Sequence, residues 1–332
     1  MKHAMESVSG FGSSTREVDV GTLHKLVIQH GREAALKKVD PTERHLVRLA
    51  ADILAEEDDA IGVTYSGFCQ ASLPHKRQPS DQAWIRQSER LTLMIEPGRL
   101  IRPGTSEGEF VGVPYGSRAR LILLFLQTQA LRSRSREVEL GRSMRDWLRR
   151  MGIAQGGKSI REVRDQATRL SICKLTFFYQ NANGGTGFSS ERIVDDGVLF
   201  LEKGAPDEQQ AALFVETVRL SQSFYDALAR HPVPLWEPAI RAIQNNSMCL
   251  DLYVWLAYRL HVLPRPTTIH WPRLHQQFGA GFKSQRQFKP TFIANLKLAL
   301  AVYPEASVEV GEDGLCLLPS RPPVSERQLL PR

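Results

Sequence analysis

SRARLILLFLQTQALRSRSREVELGRSMRDWLRRMGIAQGGKSIREVRDQATRLSICKLTFFYQ, residues 117–180, carries three helical patterns, each opened by a serine, and ends in a run of β-branched and aromatic residues. Its order is helix, short strand, helix, turn, helix, strand. Ser117, Ser143 and Ser159 are candidate N-caps, because a serine hydroxyl accepts a hydrogen bond from the unpaired amides of a first helical turn. Ser159 with Glu162 makes the Ser-x-x-Glu capping box, and Ser143 with Asp146 a weaker version of it. Met144, Trp147, Leu148 and Met151 share one face of the second helix, and Gly152 stands where a left-handed C-terminal cap is wanted. In the third helix Ile160, Val163, Ala167 and Leu170 line one face, which leaves Arg161, Arg164, Asp165 and Thr168 on the other.

An extended segment (Leu175 to Tyr179), a Gly/Asn turn (Asn181 to Gly187) and a second extended segment (Phe188 to Val194) follow. The pattern is that of a winged helix-turn-helix, whose second motif helix enters a DNA major groove beside a hairpin. An ordinary α+β domain with a solvated basic face fits the same pattern. Charge separates the two readings: residues 118–174 hold fourteen Lys/Arg against five Asp/Glu, a net +9, while the whole chain carries only +7. A cation excess gathered in one window is the footprint of a polyanion partner. The candidate DNA contacts here are Arg142, Lys158, Ser159, Arg161, Arg164, Asp165, Thr168 and Arg169.

The element order recurs downstream. Ser247 opens an apolar helix (Met248 to Leu260), Thr267 to His270 reads as a strand, Trp271 to Phe278 as a helix and Gly279 to Gly281 as a turn. Ser284 to Val302 is a third helix, and two extended segments bracket Gly311-Glu-Asp-Gly314, a hairpin signal. Residues 259–297 hold seven Lys/Arg and no acid. Lys283, Ser284, Gln285, Arg286, Lys289 and Lys297 are the candidate DNA contacts of this unit. Pro290 is expected to set residues 284–289 apart as an irregular turn.

The fold class that follows is α+β, with two tandem winged helix-turn-helix domains and an N-terminal helical arm. Residues 1–60 are the arm, frayed at first and then helical at Leu23 to Lys38 and Pro41 to Glu57. Residues 61–230 hold the first domain with its N-terminal extension. In that extension Gly62 to Arg77 is turn-rich, Leu91 to Ile95 is a strand, and the basic triplet His75-Lys76-Arg77 is either a solvated turn or a backbone contact. After an acidic loop at Gly204 to Gln210, residues 231–238 form a proline-stiffened linker. Residues 239–320 are the second domain, and 321–332 a disordered tail.

Other classes fit poorly. No apolar run approaches the ~18 to 20 residues that span a bilayer, and no signal-peptide core opens the chain. Four scattered cysteines, without Cys-x-x-Cys or paired histidines, suit reduced buried thiols in a cytoplasm and no metal site. Gly152 to Ser159 matches the phosphate-loop pattern Gly-x4-Gly-Lys-Ser, but that loop must follow a buried strand and here it follows a helical period. Its glycines read as the turn between two helices, with Lys158 available for phosphate. A strand-nicking enzyme would need a His-x-His pair, which the sequence lacks; no catalytic activity and no cofactor are expected.

The segments Gly112–Arg120 (GVPYGSRAR), Ser135–Gly141 (SREVELG), Gly156–Arg164 (GGKSIREVR), Asn246–Trp255 (NSMCLDLYVW) and Phe288–Phe292 (FKPTF) resemble the plasmid-encoded RepA replication initiators of bacteria. The likeness runs from about residue 62 to 323. It implies two winged helices that bind repeated double-stranded sites at a plasmid origin and recruit host replication initiation proteins and helicase. Some such initiators also repress their own gene, often as homodimers. A winged-helix transcriptional repressor without a replication role is the competing class; it generally gains its second reading head by dimerising.

Overall fold

The computed structural model describes residues 20–101, 104, 106–180, 186–196 and 217–324. The frayed start, most of the Asn181 to Gly187 turn, the loop Gly204 to Gln210 and residues 325–332 lie outside them. The chain opens with α1 (Val20–Lys38), kinked at Gly31, a 3-10 turn (Pro41–Glu43) and α2 (Arg44–Leu54). β1 (Ile61–Tyr65), α3 (Ser66–Gln70), β2 (Trp84–Gln87), β3 (Leu91–Glu96), β4 (Arg99–Ile101) and β5 (Gly108–Phe110) follow. Next come α4 (Gly116–Ser133), β6 (Glu137–Glu139), α5 (Met144–Arg150), α6 (Gly157–Ile172), β7 (Lys174–Gln180), β8 (Thr186–Glu191), β9 (Val194–Asp196) and β10 (Thr217–Leu220). α7 (Gln222–Arg230), β11 (Pro232–Trp236) and α8 (Glu237–Ile243) lead to α9 (Ser247–Leu260), β12 (Thr267–His270), α10 (Trp271–Phe278), α11 (Gln285–Ala301), β13 (Val308–Val310) and β14 (Gly314–Leu317). The class is mixed α and β.

Two units share one plan. In the second, β12 pairs with β14 and β14 with β13, so the strand between the first two helices closes on the last strand of the unit. In the first, β6 pairs with β10 and β10 with β9, the same order. The β7–β8 hairpin forms where the extended segments predict it, but it is not the counterpart of β13–β14. It joins the upstream hairpin in a separate sheet, β2-β3-β7-β8. The cause is an aromatic cluster on the inner face: Phe177 of β7 meets Tyr65 and Phe68 at centroid distances of 5.4 and 5.6 Å. Each such edge-to-face pair adds about 0.5–1.5 kcal/mol to the burial itself.

α4 and α9, the first helices of the two units, are buried on nearly all sides and pack on each other at the centre. A helix apolar all round belongs in a core. α6 packs on α4 and α11 on α9, which gives the lateral order α6, α4, α9, α11. One continuous hydrophobic core runs from Leu23 to Leu317.

Several expectations are corrected. Residues 231–238 are no linker: Pro232–Trp236 pairs antiparallel with Ile61–Tyr65, with Val233 and Leu235 buried. Prolines are tolerated because this two-stranded ribbon asks few donors of them. Gly62 to Arg77 is not turn throughout, since it contains β1 and α3. The arm is not separate, because α1 and α2 pack on α11; His24 Nε2 lies 3.0 Å from the Ala301 carbonyl, and Lys297 pairs with Glu43 at 2.8 Å. The tail is ordered to Val324, which is buried, and the Arg321 carbonyl accepts from the Tyr303 hydroxyl at 2.7 Å.

Candidate nucleic-acid interface

The turn between α5 and α6 is fixed locally. Ser143 caps α5, its hydroxyl accepting from the Asp146 amide at 3.1 Å, and the Asp146 carboxylate accepts from the Arg142 amide at 3.1 Å. Those bonds, the Arg142 amide first and then the Arg149 guanidinium, hold the Asp146 carboxyl below the usual carboxylate range. At the other end the Ile153 amide donates to Leu148 O at 2.8 Å and the Gly152 amide to Arg149 O at 3.0 Å. This is a Schellman cap, with Ile153 and Leu148 both buried, and it needs the left-handed φ of +69° that Gly152 adopts. The first glycine of the phosphate-loop pattern therefore ends a helix, as its helical flank implies. α6 then starts at Gly157, capped by Gly156 without a side-chain bond. Ser159 is not the N-cap but a buried residue of the first turn, because the helix begins three residues earlier than the serine predicts. Ser117 does not cap α4 either; the helix starts at Gly116 behind Tyr115.

α6 sorts the predicted contacts by burial. Lys158, Arg161 and Asp165 are exposed at i, i+3 and i+7, Arg164 is half-buried, and Val163, Ala167 and Leu170 face α4. Thr168 and Arg169 are buried and are corrected out of the contact set. Arg169 reaches back over the Tyr115 ring, donates to Val113 O and pairs with Asp165 at 3.0 Å. Its approach needs the glycine at 112, which has φ +80° and would place a Cβ 2.5 Å from Arg169 Nη1. Asp165 is thus the partner of a structural arginine. Glu162 pairs with Arg118 at 3.2 Å and lies 3.9 Å from Lys158 instead of closing a capping box. Among the described residues the side chains of Arg142, Arg161 and Arg164 have no ion pair or hydrogen bond.

In the second unit Ser284 caps α11 by accepting from the Gln287 amide at 3.4 Å. The helix runs unbroken through Pro290, so residues 285–289 are its first turn and not a separate one. Lys283, Ser284 and Arg286 are exposed and Gln285 is half-exposed. Lys289 sits 4.9 Å from the Trp271 ring centre and 3.5 Å from the Glu312 carbonyl. Lys297 is corrected: its pairing with Glu43 turns it toward the arm. Each unit therefore presents a short set of unpaired cations at the start of its third helix.

One network ties the units together. Arg120 of α4 is 6% exposed and meets Asp251 of α9 through two bonds of 2.6 Å. Its remaining N–H groups go to Pro74 O (3.2 Å), Gly116 O (2.8 Å) and Leu73 O (2.7 Å). All five guanidinium donors are satisfied. His75 joins through Ser247 Oγ at 3.0 Å and Asp251 at 3.9 Å, so this member of the basic triplet is no DNA contact. A second junction has Glu89 of the β2–β3 turn pairing with Arg259 and Arg273, each at 3.2 Å.

Burial, and then the charge of Arg120, push the His75 imidazole down to about 4 from 6.5. Between those values the unfolded chain binds the proton and the folded chain does not, so stability falls as pH drops from 6.5 toward 4, by up to about 3 kcal/mol. Buried His24, lowered for the same reason, adds to the trend. Urea midpoints against pH are expected to fall less steeply over this window in His75→Gln; equal slopes would contradict the assignment.

The sequence leaves Arg77 open, as one residue of a basic triplet that is either a solvated turn or a backbone contact, and outside the set of candidate contacts. Arg77 lines the same surface hollow as Arg161. Its loop and α6 lie far apart in the chain, and the signal is spatial.

Among the described residues no helix is long and apolar enough to cross a membrane. A crystal structure of domains 2 and 3 of RctB is similar over 78% of this chain and 99% of that chain, at 13% identity and a TM-score of 0.49. A second structure of RctB domains 2–3 is similar over 70% of this chain and 82% of that one, at 14% identity and a TM-score of 0.43. No curated protein matches the chain. The family model described as "Plasmid encoded RepA protein" matches residues 113–272, a stretch that takes in α4, the α5–α6 turn, the Arg120–Asp251 junction and the first two residues of α10. By that match residues 113–272 are similar to the plasmid encoded RepA proteins.

Proposed function

We propose that this protein is a plasmid replication initiator that binds repeated double-stranded sites at a plasmid origin and brings host replication initiation proteins and helicase to it. It does so without catalysis of its own, without a cofactor, and in the cytoplasm. The observation that carries the reading is the duplicated unit. Two sets of three helices with the same sheet order, β6-β10-β9 and β12-β14-β13, each offer a third helix with cations near its start, Arg161 and Arg164 on α6 and Arg286 on α11, that have no ion pair among the described residues. This duplication supports the reading of two winged helices, with α6 and α11 as the helices that enter major grooves. Two such heads in one chain favour an initiator over a repressor, which gains its second head from a second subunit.

Within α6, Lys158 serves a backbone phosphate and Arg164 a base edge, since a guanidinium pairs bidentately with guanine. Arg164→Ala is expected to cost about 1–3 kcal/mol on the cognate site and to relax preference at one base position. Unchanged affinity and preference in a folded variant would misplace the helix. The reading as a whole is tested by asking whether this gene, with nearby repeated DNA, sustains a plasmid that lacks other replication functions. Persistence is expected. Repeat binding without persistence would favour the repressor.

A further inference from the structure

Resting on the proposed DNA binding, we propose that Arg77 and Arg161 together hold one backbone phosphate of the bound DNA, in a hollow between the loop after α3 and the first turns of α6. Both side chains line this hollow, with Tyr115 and Arg118 beside them. Both residues are exposed, and neither has an ion pair or hydrogen bond among the described residues. The hollow also contains Glu162 and Asp165, but Glu162 pairs with Arg118 at 3.2 Å and Asp165 with Arg169 at 3.0 Å. With those carboxylates matched, the unbalanced charge is the two guanidiniums. Two like charges facing one hollow repel each other, and an anion between them relieves the repulsion. A guanidinium fork suits a phosphate's paired oxygens.

The loop that carries Arg77 is held in place. Leu73 O and Pro74 O accept from buried Arg120, and Pro74 O also accepts from the Gly116 amide at 2.9 Å. His75 is fixed on Ser247, and Ser80 packs against Gly112. Arg120 is thereby a positioning residue for the hollow as well as the tie between the units. The contact is to the backbone and ties the loop after α3 to α6, so it would fix the register of the helix in its groove without reading sequence.

The test measures binding of the full-length wild type, Arg77→Ala, Arg161→Ala and the double variant to an origin-repeat duplex across a salt series, with inorganic phosphate binding followed separately by calorimetry. Each single variant is expected to bind about tenfold more weakly and to lower the salt slope by about one unit. Because one phosphate is shared, the double variant should bind little worse than either single; a product of the two losses, about a hundredfold, would mean two separate contacts and overturn the sharing. Replacing one backbone phosphate by a neutral methylphosphonate should weaken the wild type and leave Arg77→Ala unaffected. An Arg77→Ala protein with wild-type affinity and slope, on DNA that the wild type binds, would overturn this inference alone. Tight phosphate binding that Arg77→Ala abolishes, without any change in DNA affinity, would assign the hollow to a free anion and overturn it too. A wild type with no salt-dependent DNA affinity would remove the parent reading and this one with it.

Discussion

Inserting five base pairs between the two half-contacts of a single origin repeat is expected to lower the affinity of monomeric protein by about 10²–10⁴-fold. In the proposed reading both third helices bind one duplex, so the second contact forms within an already bound complex, and its loss removes that whole advantage. Half a turn of DNA puts the second groove on the opposite face. The structure adds a consequence that a jointed molecule would not have. Residues 231–238 are a paired strand, the core is continuous, and Arg120–Asp251 and Glu89 with Arg259 and Arg273 span the two units. A full-turn insertion, roughly 10 to 10.5 base pairs, restores the face but shifts the groove by about 34 Å, which this body cannot stretch to cover. Both insertions are therefore expected to fail in an affinity series. Tolerance of the full turn with loss at the half turn would mean that the units separate on DNA. Truncation at the proline segment is no substitute experiment, because it would strip β11 from β1 and open the core.

Asp251→Ala is expected to destabilise the full chain by about 3–5 kcal/mol in urea unfolding. The substitution leaves the Arg120 guanidinium, 6% exposed, with carbonyl acceptors and no counter-charge. The cost comes from the stranded cation more than from the lost attraction, since a buried pair is offset by the desolvation of both ions. Replacing both members, as Arg120→Met with Asp251→Leu, should accordingly restore most of the stability. It should not restore DNA affinity in full, because Leu73 and Pro74 lose the donors that place Arg77. A loss below about 1 kcal/mol for Asp251→Ala would show that water reaches the pair and that the junction is loose. Full recovery of both stability and affinity in the double variant would separate Arg120 from the positioning of the loop.

The parts of this molecule that the sequence discloses are those set by neighbours in the chain. Ser143 caps α5, Gly152 ends it and Ser284 opens α11, each through bonds within a few residues. The repeated order of helices and strands follows from periodicity, which is equally local. Ser159 misleads because two glycines ahead of it can start the helix unaided. The prolines at 232 and 234 read as a spacer because their partner strand lies far upstream, and pairing across that distance leaves no local mark beyond the alternation of Val233 and Leu235. Thr168, Arg169 and Lys297 look like contacts on a helical wheel. Only the Tyr115 ring under Arg169, Glu43 against Lys297 and the burial of Thr168 remove them. Arg77 is the reverse case, a residue plain in its own loop that gains a role from a helix it meets in space.

The most direct measurement is a hydroxyl-radical footprint of the monomeric full-length protein on one origin repeat. Two protected segments on one face, about one helical turn apart, are expected, with cleavage between them unaffected on the far face. Protection confined to one groove would mean that residues 239–320 act on something other than DNA, and no protection at salt where the protein is folded would contradict the account at its base.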